Sequence, residues 1–79
     1  MERAFNEEAR RRGEAWGRDL AEVVRDLRQE DVLDNIAFLL RKTIEHQTRQ
    51  NGAAFAERFE RAARQEISKR FPKFAPVRH

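Results

Sequence analysis

Apolar residues recur along the chain at steps of three and four, and nowhere alternate as a half-buried strand requires. Phe5, Ala9, Trp16, Leu20, Val23, Val24 and Leu27 fall on one stripe, which predicts a helix over about residues 3 to 29. Val32, Leu33, Ile36, Leu39, Leu40 and Ile44 cover a wider arc of a second helix, over about residues 32 to 50, with Asp31 as the expected N-cap. Asn51-Gly52 ends it, since both residues tolerate the left-handed conformation that closes a helix. Phe55, Phe59, Ala63, Ile67 and Phe71 then follow at i+4 steps, predicting a third helix over about residues 53 to 71, and Pro72 stops it. Residues 72–79, "PKFAPVRH", form a short proline-containing tail whose Phe74 and Val77 are expected to fold back on the helices. The fold class is therefore all-α: one domain, 1–79, a small bundle of about three helices. Trp16, Leu20, Leu27, Ile36, Leu40, Ile44, Phe55 and Phe59 are its expected core.

A bundle of 79 residues buries only about 60% of the surface that its unfolded chain exposes, so completion of the core by self-association is expected. One row on the first helix suits that role. Ala9, Gly13, Gly17 and Ala21 stand at successive i+4 steps beside Trp16, and small residues in a row let another helix approach closely. Two glycines inside one helix cost about 2 kcal/mol against alanine, so the row should gain a contact in return, either within the monomer or across a homodimer axis. The alternative is that "RRRGE" is a boundary, with Gly13 breaking the helix and residues 1–12 forming a charged arm.

Charge alters the picture of the second half. Residues 1–40 hold 7 arginines against 10 acids, net −3, and residues 41–79 hold 10 basic residues against 4 acids, net +6. Much of this is neutralised locally. Glu57 with Arg61, Glu60 with Arg64 and Glu66 with Arg70, like Glu7 with Arg11, Glu8 with Arg12 and Glu14 with Arg18, have the favourable i,i+4 order. Arg58 and Lys69, with Lys73 and Arg78 beyond the helix, remain as a modest basic strip. Alone it would hold DNA or RNA weakly and only through the phosphate backbone. The end of the third helix that would have to reach bases reads "AAFA", which cannot read base edges beyond a thymine methyl.

Candidate chemistry is sparse. The chain has no cysteine, two histidines, His46 and His79, and one serine, Ser68, so no nucleophile stands with a base and no histidine pair is spaced for a metal. Asp26, Glu30, Asp31 and Asp34 cluster around the start of the second helix. Capping and the helix dipole account for them, and the cluster also matches the basic half of a neighbouring copy in an antiparallel assembly. The longest apolar run, Ile36–Leu40, is far below the roughly 18 residues that span a bilayer. A soluble, cytoplasmic, non-enzymatic protein without cofactor or metal is expected.

Phe38 departs from the pattern. On the second helix it points among Asp34, Arg41, Glu45 and Arg49, nearly opposite Ile36 and Leu40. An aromatic in that position suits an anchor in a partner's pocket. The sequence thus favours a small interaction protein, of adaptor or inhibitor type, that meets a larger protein with an acidic or apolar surface through Phe38, Arg41, Arg49, Arg58 and Lys69. A backbone-binding nucleic-acid protein is the alternative. Leu40→Ala should destabilise by about 2 to 5 kcal/mol in urea unfolding. A loss below about 1 kcal/mol would show that the second helix is not central.

Overall fold

The structure, a computed structural model, describes residues 2–74, with the side chains of residues 2, 3 and 29 excepted. The expectations for Val77, Arg78 and His79 lie outside the described residues. Three helices follow in order: α1 (Glu2–Val24), α2 (Gln29–Asn51) and α3 (Ala53–Arg70). No strand occurs among the described residues.

α1 runs without interruption through Gly13 and Gly17, so the boundary at "RRRGE" does not form. It ends earlier than its stripe implies. After Val24 the chain turns, with the Leu27 amide donating to the Val24 carbonyl at 3.0 Å, and Leu27 is left 45% exposed rather than in the core. Two consecutive β-branched residues, Val23 and Val24, precede the turn and hold the helix weakly. α2 begins before its expected cap. Extended Arg28 is the N-cap, its carbonyl accepting from the amides of Asp31 and Val32, and Asp31 joins Glu30 in the first turn, where negative charge suits the helix dipole.

Gly52 alone joins α2 to α3. Its φ of 91° lies where only glycine is comfortable, its amide donates to the Thr48 carbonyl, and its carbonyl accepts from the Ala56 amide. No side chain lies near enough to demand a glycine there, so the requirement is one of backbone conformation.

The contacts between α1 and α3 set their relative direction. Phe5 meets the edge of Phe55 at 5.1 Å, Trp16 lies tilted against Phe59 at 5.9 Å, and Arg70 reaches Glu22. Residue numbers rise together on both helices, so α1 and α3 are parallel neighbours and α2 returns between their ends. The row of small residues is the seam. A Cβ on Gly13 would strike the Phe59 carbonyl, and one on Gly17 would stand 2.7 Å from the Ala63 carbonyl oxygen. Ala9 and Ala21 are 0% and 1% exposed on the same line. The row is therefore covered by α3 of its own chain.

Around the seam the core comprises Leu20, Val24, Val32, Ile36, Leu40, Phe55, Phe59, Ala63, Ile67 and Phe74, with Trp16, Leu33, Ile44 and Phe71 partly buried against it. Phe74 is 9% exposed and lies 5.1 Å from the Arg64 guanidinium, so the tail folds back as far as that residue. Gly17→Ala should destabilise by about 1 to 3 kcal/mol in urea unfolding, although alanine raises helix propensity by about 1 kcal/mol. An unchanged or higher stability would show that the two backbones can part without loss.

Candidate functional site

α2 buries one side only. Val32, Ile36 and Leu40 face the core, while Asp31, Asp34, Asn35, Phe38, Arg41, Lys42, Glu45 and Arg49 are exposed on the opposite side. Phe38 stands in the middle of that side, 53% exposed, with the Lys42 ammonium 5.7 Å from its ring centre. The sequence places it there by helical spacing, and the structure assigns it no packing role inside the chain.

The expected cationic residues separate into three settings. Arg41 and Arg49 line a groove of about 520 Å³ between α2 and α3, together with Ala37, Leu40, Ile44 and the Glu60–Arg64 ion pair. Glu45 shares this rim and tempers its positive charge. Arg58 lies on the far side of α3, in a groove of about 670 Å³ against α1, where Arg10, Arg61 and Gln65 also converge. Lys69 is not free as expected, since its ammonium bonds Glu66 at 2.8 Å and leaves Arg70 to pair with Glu22 of α1. The structure thus brings Phe38, Arg41 and Arg49 onto α2 and separates them from Arg58 and Lys69. Lys42 and the apolar floor of the α2–α3 groove were not anticipated. The position of Lys42 four residues after Phe38 was the available signal.

The state of the charges distinguishes α2 from its neighbours. On α1, Arg10 bridges Glu7 and Glu14, Arg11 meets Glu8, and Arg12 meets Glu8 at 2.9 Å. Glu14 is therefore engaged by Arg10 rather than by Arg18, and Glu7 by Arg10 rather than by Arg11. On α3, Arg61 approaches Glu57 at 3.6 Å and Arg64 bonds Glu60 at 2.9 Å. Among the described residues Arg18, Arg41, Lys42, Arg49, Arg58 and Lys73 form no ion pair.

The remaining candidate chemistry does not assemble. His46 is exposed on α2, and the Ser68 hydroxyl donates to the Gln65 carbonyl at 3.0 Å. Among the described residues no three histidine, cysteine or carboxylate groups are placed to hold a metal ion, and no helix is long and apolar enough to cross a membrane. Ala9, Gly13, Gly17 and Ala21 are buried and Trp16 half-buried, so this row offers no open surface to another chain. Comparison with family models, curated proteins and solved structures finds no match.

Hydrogen bonding from Arg10 lowers the Glu7 carboxyl below its ordinary value, and hydrogen bonds from Arg11 and Arg12 do the same for Glu8. A depressed carboxylate contributes stability that is full above its unfolded value and is lost as pH falls through the lower, folded one. Glu8→Gln should therefore give a shallower fall in thermal midpoint than the parent below about pH 4.3. Identical acid limbs for the two proteins would show that the α1 ion pairs do not persist in solution.

Proposed function

We propose that the chain acts by binding, as a small helical interaction protein of adaptor or inhibitor type that docks on a larger protein through the outer side of α2. The observation that carries this reading is Phe38, 53% exposed, among three cations that form no ion pair among the described residues. An exposed aromatic with an ammonium over its ring, and unpaired guanidinium groups further along the same helix, suits an interface hot spot in which the ring fills a pocket and the charges meet carboxylates at its rim. The partner surface of matching chemistry has an apolar recess for Phe38 and carboxylates opposite Arg41, Lys42 and Arg49, with donors opposite Asp31, Asp34 and Glu45 of the same side. The α2–α3 groove, with Arg41 and Arg49 on its rim, extends the same surface. Such a role suits a cytoplasmic protein and needs no cofactor.

Nucleic-acid binding is the second reading, favoured by the groove that gathers Arg10, Arg58, Arg61 and Gln65 between α1 and α3. It is the weaker, because Glu7 and Glu14 already hold Arg10 and because Arg58 alone adds about one phosphate contact.

Affinity capture with nuclease treatment, followed by titration of the recovered partner, separates the two. Phe38→Ala should weaken a protein partner by about 2 kcal/mol or more, while Arg58→Ala leaves it unchanged. Should DNA or RNA be the ligand, Arg58→Ala lowers the slope of log affinity against log salt by about one and Phe38→Ala has no effect. Partner affinity insensitive to Phe38→Ala would refute the docking reading.

A further inference from the structure

Six residues of α2, Asp31, Asn35, Phe38, Lys42, Glu45 and Arg49, follow one another at steps of 4, 3, 4, 3 and 4, the spacing of the contact line in a two-helix seam. At 100° per residue they fall within an arc of about 80°. All six are exposed, and this arc lies opposite the side that packs on the core. We propose that this line is self-complementary and that two copies of the chain pair through it, with their α2 helices antiparallel about a two-fold axis. The inference rests on the reading of this side of α2 as a docking surface, and names a second copy as an occupant.

The register follows from charge. With the axis level with Leu40, Asp31 opposes Arg49 of the second copy, Asn35 opposes its Glu45, and Phe38 opposes its Lys42, each pair occurring twice. These are a carboxylate with a guanidinium, an amide donor with a carboxylate, and an ammonium with an aromatic ring. Lys42 already stands over Phe38 within one chain, so the last contact only exchanges the ring that the ammonium meets. This antiparallel register is the one that gives all six residues an opposite on the line. A parallel pair sets Asp31 against Asp31 and Arg49 against Arg49, and an antiparallel pair centred on Phe38 sets Asp31 against Glu45. The helix dipole accounts for the sign of Asp31 in the first turn and of Arg49 in the last. It does not account for Asn35, Lys42 and Glu45 standing on the same line with Phe38 at its middle.

The antiparallel arrangement also brings the α1–α2 corner of one copy, where Val23 is 74% and Leu27 45% exposed, towards the α2–α3 junction of the other, where Ala53 and Ala54 are exposed. Those residues add apolar area beyond both ends of a line about 27 Å long. With one aromatic per copy on the line itself, the contact belongs to the weak, salt-sensitive end of protein interfaces.

Sedimentation velocity across protein and salt concentration tests it. The protein should be dimeric at low salt and dissociate on dilution or on addition of salt. Asp31→Arg and Arg49→Asp should each weaken the dimer by about tenfold or more, and the double variant, which exchanges the charges, should recover it. Phe38→Lys, in the middle of α2, is a second breaker that sets an ammonium opposite the Lys42 ammonium of the second copy and leaves the helix ends untouched. Circular dichroism confirms that each variant remains helical. A monomer at every concentration, a dimer that none of the three changes weakens, or a double variant that fails to recover would each overturn the proposal. A monomer whose capture of another protein still depends on Phe38 would leave the docking reading intact and remove only the second copy.

Discussion

The approach of two backbones at Gly13 and Gly17 is the contact on which the rest of the molecule depends. Where a Cβ would meet the carbonyls of Phe59 and Ala63, α1 and α3 run closer than helices bearing larger residues can. Because the two are parallel, the chain must travel the full length of α1 backwards before α3 can start. α2 supplies that return, and it has 23 residues, as α1 does. One extended residue at Arg28 and one glycine at Gly52 border it. A glycine seam thus sets the length of a helix with which it has little direct contact.

The same seam determines how the core is filled. Ala9, Ala21, Ala56, Ala62 and Ala63 are all buried, so much of the interior is dispersion between closely spaced backbones and methyl groups. Beside the seam, Phe55 and Phe59 of α3 meet Phe5 and Trp16 of α1. α2 contributes Val32, Ile36 and Leu40 from a single narrow side. Its opposite side is left without any internal partner, which is the origin of the candidate surface.

What the sequence disclosed follows from the range of each interaction. The number and order of helices were legible in spacing alone, as were the conformation-driven stop at Gly52 and the outward direction of Phe38. The end of α1 was not, because Leu27 continues the apolar stripe and only the turn after Val24 removes it from the core. The small-residue row announced a close helix contact but could not name the helix it meets, since that depends on residues about 48 positions away. Arg70 illustrates the same limit. A glutamate four residues before it offered a local partner, yet it pairs with Glu22 of α1, and Lys69 takes Glu66 instead.

Ion pairing then decides which cations are open to a new contact. A cation already held within its own helix must give up that partner to meet another molecule, so its exchange yields little net free energy and little selectivity. On α1 and α3 most arginines are in this state. On α2, Arg41, Lys42 and Arg49 are not, and they share that helix with Phe38, the most exposed aromatic of the described residues, over which Lys42 stands. The net charge of the chain is thus a poor guide to its function, because the cations that dominate its count are internally satisfied. The informative quantity is the unpaired remainder, of which α2 carries three cations, more than either other helix.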